Sequence, residues 1–364
     1  MKKNNQKKVI MFIPCLIERG PIIVVRDIIE NYQGKEYKFI ILTLRKNKKE
    51  NFKLKKEYEI YEIDNKKVPL KVNQLRKIVK EINPDIIHCH GYWPTIFSGI
   101  FFRKYKIVST LHNNPLQDFE LRYGKIISKF MIKSMIFYQN KFQKNISISK
   151  YVEETHKKLG VLNLETIYNG IPNDIKINNL NRINKHQKNK VNLITVCNLN
   201  KIKNIEFLIK VIEKLKNIIN VEYTIVGDGP DKSKICNMII EKRMTNIIKL
   251  VGRKSREEVY RYLEDKDIFL FASLSEGFGL VIVEALKKGV PVITSNIPVM
   301  KELIISGKNG VICDLNINEY IEAILEVNKN LNEYKKNTQI YFNKDFFVEN
   351  MSKNYMDLYR KLSL

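Results

Sequence analysis

Short runs of consecutive apolar residues alternate with longer amphipathic segments along almost the whole chain. Runs that are apolar at successive positions fit strands covered on both faces, and this alternation is typical of βα units around parallel sheets. The runs that we interpret as strands are residues 9–14, 39–44, 85–90, 107–111 and 145–148 in a first series, and 192–197, 222–226, 248–251, 268–272 and 291–294 in a second. The helical patterns between them include 205–216, 256–263 and 280–287. The sequence therefore predicts an α/β fold.

The two series of strands predict two domains. A chain of 364 residues exceeds the length at which a single core usually stops growing. Residues 176–190 contain almost no large apolar side chain and many charges, which is typical of a solvated connector. We therefore expect a first domain over residues 1–175, a linker at 176–190 and a second domain over 191–345. Residues 346–364 have helical spacing and are expected to pack back across either domain.

The chain is strongly basic, with 64 Lys and Arg against 39 Asp and Glu and a formal net charge of +25. Such a balance attracts phosphates, anionic membranes or nucleic acid, and it can also follow from the base composition of a genome. Because no zinc finger, aromatic RNA-binding motif or helix-turn-helix pattern stands out, we do not expect nucleic acid as a partner.

The cysteines and the apolar runs indicate in which cellular compartment the protein works. The five cysteines are widely spaced without a CxxC pair, which favours reduced thiols over a disulfide framework or a zinc site. The apolar run near residue 9 is short and lacks a cleavage site, so we interpret it as a buried strand rather than a signal peptide. No segment approaches the roughly 20 apolar residues that a membrane span needs. We expect a cytoplasmic protein.

The most informative segment is residues 275–285, which follow the predicted strand at 268–272. Its glycines allow a ligand to approach the backbone closely, and a helix that begins near Phe278 or Gly279 directs its first amide groups at an anion. Glu276 precedes this helix and Glu284 lies about one and a half turns inside it, roughly 8 Å further along the axis at 1.5 Å per residue. Two carboxylates so placed can accept hydroxyl hydrogen bonds from separate parts of one elongated, polyhydroxylated ligand.

This segment resembles the signature of the family 4 retaining glycosyltransferases, in which two glutamates are separated by seven residues around EGFGL. The resemblance covers nearly the whole chain and implies the GT-B fold, two Rossmann-like parallel-sheet domains that face a central cleft. It also implies that Glu276 contacts the hydroxyls of the donor sugar and Glu284 the nucleotide ribose. The backbone of Phe278, Gly279 and Leu280 would then lie against the sugar and the pyrophosphate.

Further donor-binding positions follow from the same resemblance. Gly227 ends the second strand of the later domain, and Gly252 and Arg253 end the next, where the family places backbone contacts to the base. A plain β–α turn is an equal alternative for such glycines. Lys203 matches the cation that binds the phosphates. Asn198 occupies the position of the usual arginine, so either a neighbour such as Lys201 replaces that cation or the donor site is weaker.

The first half of the chain also matches the family in order. Gly20 lies in a loop after the first strand that resembles the glycine loop facing the donor phosphate, and a plain turn is again an equal alternative. His90 and His112 end two later strands and are expected on the acceptor side, with His88 as a structural residue. A His-x-His pattern can bind metal, but no third ligand is evident, and we expect no metal. The residues expected to act in catalysis are Glu276, His112 and Lys203.

The activity that the resemblance implies is transfer of a hexosyl unit, with retention and without a metal, from a nucleoside diphosphate sugar, with UDP-sugars favoured, to a glycan or lipid-linked acceptor. The pathways it suggests are those of surface polysaccharides such as capsule and O-antigen. The donor is a substrate, and no cofactor is expected. The alternative is a catalytically silent GT-B subunit that binds a partner or a glycan, for which the missing arginine at Asn198 is the main support.

Residues 121–152 contain seven basic residues and no acidic residue up to position 152. On a helical wheel, the lysines lie within the half opposite an apolar face, and this pattern favours a helix resting on an anionic membrane surface at the inner face of the membrane. A helix packed on the core with a solvated basic face is the alternative. The residues assigned to the apolar face are Ile127, Met131, Met135, Tyr138 and Phe142.

Overall fold

The computed structural model describes residues 6–17, 20–45, 54–64, 68–173 and 190–363. The described residues divide into two compact units: those up to Pro172 together with those from Asp345 onward, and those between Asn173 and Lys344. The linker predicted at 176–190 lies outside the described residues except for Lys190.

The first unit is built on a seven-stranded sheet in the order β3-β2-β1-β4-β5-β6-β7, in which every pair is parallel. The core comprises strands whose side chains are almost fully buried and the helices that cover them. The elements in chain order are β1 (Lys7–Ile13), α1 (Gly20–Glu30), β2 (Tyr37–Thr43), β3 (Glu59–Glu62), α2 (Val68–Ile82), β4 (Ile86–His90), α3 (Tyr92–Phe101), β5 (Lys106–Leu111), α4 (Pro115–Tyr123), α5 (Lys125–Gln139), β6 (Lys144–Ser147), α6 (Lys150–Lys158) and β7 (Leu164–Thr166).

The second unit has a six-stranded parallel sheet in the order β10-β9-β8-β11-β12-β13. Its helices are amphipathic, and α7 buries Leu208, Ile212 and Leu215 against the sheet. The elements are β8 (Val191–Val196), α7 (Ile205–Leu215), β9 (Val221–Val226), α8 (Lys232–Glu241), β10 (Ile248–Gly252), α9 (Arg256–Glu264), β11 (Ile268–Phe271), α10 (Leu280–Lys287), β12 (Val292–Ser295), α11 (Met300–Leu303), β13 (Gly310–Cys313), α12 (Ile317–Lys329) and α13 (Leu331–Ile340).

The chain ends in α14 (Val348–Ser363), which belongs to the first unit. It packs on α1, and Ser352 Oγ donates a hydrogen bond to the carbonyl oxygen of Ile28 at 3.0 Å. The backbone beside Ile171 forms a parallel bridge with Phe347, and a Cβ on Gly170 would lie 2.5 Å from the backbone nitrogen of Val348. The glycine at position 170 therefore lets the chain that enters α14 approach this segment.

All ten predicted strands are present with bounds shifted by one or two residues, so the predicted α/β fold with two parallel sheets is confirmed. Three strands were not predicted, namely β3, β7 and β13. Each lies at the edge of its sheet and is only three or four residues long. An edge strand is covered on fewer sides, so its sequence does not need the continuous apolar run that marks a central strand.

The basic segment 121–152 differs from its prediction. It contains the end of α4, then α5, β6 and the first residues of α6 rather than one helix. The buried positions of α5 are Ser128, Ile132, Met135 and Gln139. Of the apolar face assigned from the sequence, Met135 is buried, Met131 packs against the same cluster, and Ile127 is exposed. A helix with two apolar strips can pack on either one, and the neighbouring helices α3 and α4 select the strip that contains Ile132 and Met135.

Candidate active site

Both sheets have a topological switch point, where the strand order reverses and loops diverge above the carboxyl ends of two neighbouring strands. In open α/β sheets ligands bind at this point. The switch point lies between β1 and β4 in the first unit, and between β8 and β11 in the second. Lys203 follows β8 and Glu276 follows β11, so the second sheet brings together two of the residues that the sequence selects.

Lys203 and Glu276 form an ion pair between Nζ and Oε1. Lys203 ends a short 3-10 turn, whose Asn200 side chain accepts a hydrogen bond from the Lys203 backbone at 3.2 Å. The same turn is joined to the loop after β11, because the carbonyl oxygen of Ile202 accepts from the backbone N–H of Leu274 at 2.8 Å and from Ser273 Oγ at 3.2 Å. The two charged side chains are therefore held by two loops that are themselves bonded together.

The helix α10 begins directly after Gly279, which has a left-handed backbone conformation with φ +102°. This conformation strains any residue with a Cβ, so glycine is required for the chain to turn into the helix. Within the described residues, no side chain caps this helix start. The side chain of the preceding residue, Phe278, is buried in the core with 2% exposure. Only the backbone of Phe278 is therefore a candidate for contact with a ligand.

Glu284 lies on α10, 8% exposed, and its Oε1 accepts two hydrogen bonds from α9. Arg256 Nε donates at 2.8 Å and the Tyr260 hydroxyl at 3.2 Å. Burial raises the pKa of Tyr260 well above its usual range, so the phenol keeps its proton. Arg256 and Tyr260 were not predicted as site residues, although their spacing of four on one helix and the capping box of Ser255 and Glu258 carry a signal.

The glycine turns of the second unit have structural explanations. A Cβ on Gly227 would lie 1.9 Å from the carbonyl oxygen of Cys197. Glycine at this position therefore allows the loop after β9 to pack against the loop after β8, where Asn198 is exposed. Gly252 has φ +75° at the end of β10, and the following Arg253 is exposed. The contacts of these four residues with a donor remain predictions.

The first unit groups its histidines at the carboxyl ends of β4 and β5. His90 is fully buried, and its Nδ1 lies 2.9 Å from Nε2 of the partly exposed His112. His88 is also fully buried, with Nδ1 2.6 Å from the Tyr359 hydroxyl and Nε2 2.7 Å from Thr110 Oγ1. His88 is therefore a structural residue. His90 contacts His112 from the buried interior of the unit. The acceptor-side role of His90 and His112 stays a prediction.

Two remaining features of the first unit concern the predicted glycine loop and metal binding. Gly20 is the first residue of α1, and a Cβ at this position would meet no atom within 4 Å, so packing does not require glycine there. The two residues before it, Glu18 and Arg19, lie outside the described part of the chain. Across the described ranges, no group of three His, Cys, Asp or Glu side chains is arranged to hold a metal ion.

Two units with parallel sheets, each with a topological switch point, are the architecture of the GT-B class, and solved GT-B structures match this chain with TM-scores of 0.82. Two family models match the chain consecutively. Residues 20–174 match the model described as Glycosyltransferase Family 4, and residues 176–341 match the model described as Glycosyl transferases group 1. The chain belongs to the family 4 glycosyltransferases.

Curated relatives agree with this family. The O-antigen biosynthesis glycosyltransferase WclY of Escherichia coli is 29% identical over 303 residues, which are 80% of this chain and 83% of that enzyme. The alpha-monoglucosyldiacylglycerol synthase of Acholeplasma laidlawii is 31% identical over 175 residues, 46% of this chain and 44% of that enzyme. Among solved structures, Anabaena HepE in complex with UDP and glucose matches with a TM-score of 0.82 and 17% identity, covering 98% of this chain and 100% of that one. This likeness shows the fold.

Proposed function

We propose that the protein transfers a sugar from a nucleoside diphosphate sugar to a glycan or lipid-linked acceptor in the synthesis of a surface polysaccharide. The observation that carries the proposal is the pairing of Lys203 with Glu276 at the switch point of the second sheet. The name of WclY supports an O-antigen pathway, and a capsule pathway would use the same chemistry. HepE was solved with UDP and glucose, which makes UDP-sugars the first donors to test.

Each charged residue has a separate part in donor binding. Without ligand, Lys203 and Glu276 neutralise each other. A diphosphate would attract the ammonium group of Lys203 and leave Glu276 free to accept hydrogen bonds from sugar hydroxyls. The uncapped start of α10 adds the positive end of a helix dipole for the same anion. Glu284 would hold the ribose hydroxyls, with Arg256 and Tyr260 fixing its orientation.

The proposed reaction retains the configuration of the sugar. The bond between the anomeric carbon and the diphosphate oxygen breaks, and the electron pair leaves with the diphosphate. The incoming hydroxyl forms its bond to that carbon on the same face and gives its proton to the departing phosphate oxygen. Lys203 and the α10 amides stabilise the charge that grows on the diphosphate. Because these groups supply the positive charge, the proposal includes no metal ion, and full turnover in EDTA is expected.

Donor binding can be measured without an acceptor. A cognate donor at 100 times its Kd should stabilise the native state by about 2.7 kcal/mol, which corresponds to a rise in Tm of roughly 5 °C or more. We expect this rise with a UDP-sugar and not with GDP- or ADP-sugars in a thermal-shift screen. Lys203→Ala should abolish most of it, whereas Lys190→Ala, which breaks a different ion pair with Glu222, should not. Equal shifts in both variants would contradict the donor site.

The alternative is a GT-B subunit that binds a sugar nucleotide or glycan without transferring it. It is favoured by Asn198, which is exposed on the loop after β8 and supplies no positive charge. The purified protein distinguishes the two, because an enzyme releases UDP from its donor when an acceptor extract is present. Donor binding without any UDP release would support the silent subunit.

We also propose that the protein works at the cytoplasmic face of a membrane, bound through its first unit. Among the described residues, no helix is both long and apolar enough to cross a bilayer. The end of α4 and the outer side of α5 instead expose large apolar side chains next to the exposed lysines Lys125, Lys129 and Lys133. The apolar residues of this surface, which we call the α4–α5 surface, are Leu121 (57% exposed), Tyr123 (49%), Ile126 (76%), Ile127 (56%) and Phe130 (73%).

The chemistry of this surface fits an anionic bilayer. Apolar side chains that are this exposed gain about 1.5–3 kcal/mol each when they are fully buried. Each lysine near anionic lipid adds about 1 kcal/mol. The three lysines therefore favour anionic over neutral lipid by about 3 kcal/mol at low salt, and the apolar residues provide binding that salt does not remove.

We expect Ile126→Ser with Phe130→Ser to lower binding to phosphatidylglycerol vesicles at least about tenfold, because two inserted side chains are lost. Both positions are exposed, so folding should change little. Vesicle co-sedimentation measures the effect. The matched control is Ile218→Ser with Ile240→Ser, which removes two apolar side chains that are 56% and 58% exposed in the second unit. An equal loss in both double variants, or no binding by the wild type, would refute the surface.

A further inference from the structure

Three imidazole rings lie in a row at the carboxyl ends of β4 and β5. The ring centroids of His88 and His90 are 4.3 Å apart, and those of His90 and His112 are 5.2 Å apart. His90 Nδ1 and His112 Nε2 are 2.9 Å apart, which is a hydrogen-bond distance. One hydrogen atom lies between these two nitrogens, so one ring donates and the other accepts.

Both rings are neutral at physiological pH. Burial lowers the pKa of His112 to about 3, and burial together with the two neighbouring imidazoles lowers the pKa of His90 well below its usual range. A neutral imidazole carries one N–H group and one bare nitrogen. The direction of the shared hydrogen bond therefore fixes the tautomer of both rings.

The surroundings of His90 indicate the direction. Its Nε2 is buried and has no hydrogen-bond partner among the described residues. If His90 accepted at Nδ1, its N–H would be on Nε2, a buried donor without an acceptor. If His90 donates from Nδ1, Nε2 is a bare acceptor instead. Buried donors without a partner are rarer in proteins than under-satisfied acceptors. Donation from His90 to His112 is therefore favoured.

The neighbouring network holds this arrangement rigidly. The Tyr355 hydroxyl lies 3.1 Å from Thr110 Oγ1, which lies 2.7 Å from His88 Nε2, and the Tyr359 hydroxyl donates to Met11 Sδ at 3.9 Å. Each hydroxyl hydrogen of this hydrogen-bond network has an acceptor when Tyr355 donates to Thr110, Thr110 donates to Nε2 of His88, and Nδ1 of His88 donates to Tyr359. The buried ring of His88, fixed at both nitrogens, packs beside His90 and restricts its rotation.

We propose that His90 is a positioning residue that holds His112 in the tautomer with hydrogen on Nδ1, so that His112 presents a neutral N–H donor to an oxygen atom of its ligand. The oxygen belongs to a sugar hydroxyl or a phosphate, and this part rests on the proposed function. A ring that donates from Nδ1 and accepts from His90 at Nε2 has no nitrogen available to take a proton from an acceptor hydroxyl. His112 therefore acts through hydrogen bonding and not as a general base.

The tautomer can be measured without substrate. The chain has five histidines, so a protein labelled with ¹⁵N-histidine gives a simple two-dimensional spectrum that separates protonated from bare ring nitrogens. We expect Nδ1 of both His90 and His112 to be protonated, and both Nε2 atoms to be bare, at pH 7. Protonated Nε2 on His112 would overturn the proposal whatever the outcome of any transfer assay.

Variants at position 90 add a functional readout. Asn places an N–H donor close to the position of Nδ1, whereas Leu places none. His90→Leu should release the tautomer of His112 in the spectrum and lower kcat/KM for transfer about five- to tenfold, the effect of one hydrogen bond. His90→Asn should restore the wild-type tautomer of His112 and bring kcat/KM to within about twofold of the wild-type value. His156→Asn changes another buried histidine and should leave the His112 signals unchanged. Should His90→Leu keep the wild-type tautomer of His112, His90 does not position it.

Discussion

Glu276→Ala is expected to lower the turnover of sugar transfer by at least 10²–10³-fold, the loss typical of removing one preorganised group that stabilises a transition state. Two effects of the substitution combine. The sugar loses the carboxylate that orients its hydroxyls, and Lys203 loses the partner that holds its ammonium group in place. The measurement is the initial rate of transfer at saturating donor, with the donor identified by the thermal-shift screen.

A matched control separates this loss from a general effect of breaking an ion pair. Glu222 is also in the second unit, its side chain has the same 16% exposure as that of Glu276, and it pairs with Lys190 and Lys249. It lies near the start of β9, away from the carboxyl end of the sheet. Glu222→Ala should therefore keep wild-type turnover. Near-normal turnover of Glu276→Ala, or equal losses in both variants, would remove Glu276 from the mechanism.

Much of the fold could be predicted because central parallel strands are apolar at every position. The run around Ile10 and the run around Leu270 are fully buried, and their sequences carry that burial directly. The edge strands could not be predicted in this way, since β3 consists of Glu59, Ile60, Tyr61 and Glu62 and is partly exposed. The packed strip of α5 also depends on α3 and α4, which a helical wheel does not include.

The candidate site divides in the same way. Glu276 and Lys203 could be selected from motifs, but their contact depends on β8 lying beside β11, which follows from the strand order of the complete sheet. The bonds from Arg256 and Tyr260 to Glu284 depend on how α9 packs against α10, and no single-helix pattern contains that information. The contact between the buried His90 and His112 likewise depends on β4 lying beside β5, and neither sequence segment alone contains that information.

The four histidines of the first unit, His88, His90, His112 and His156, make its stability sensitive to mild acid. Burial lowers the pKa of His88 and His112 from 6.5 to about 3, that of His156 to about 4, and that of His90 well below 6.5. Below pH 6.5 the unfolded chain binds these protons and the folded unit does not, so stability falls as the pH decreases. The carboxylate of Glu222 in the second unit, with its pKa lowered by Lys190 to about 2, loses its contribution only below its ordinary value of 4.5.

At pH 5 an imidazole whose pKa burial lowers to about 3 should cost the folded first unit on the order of 2 kcal/mol relative to pH 7, because a shift of one pKa unit corresponds to about 1.4 kcal/mol. His90 and His156 act in the same direction, so the first unit should lose a large fraction of the stability of a typical domain. We expect the first unit to lose stability steeply between about pH 6 and 5 and to unfold before the second. The single tryptophan, Trp93, lies on α3 of the first unit, so its fluorescence reports this unit, and circular dichroism reports both.

His156→Leu removes one of the protons and should reduce the dependence of unfolding free energy on pH by about 1.4 kcal/mol per pH unit between pH 5 and 6. A fluorescence transition that begins only below pH 4 would mean that these rings do not keep their low pKa values in the folded protein.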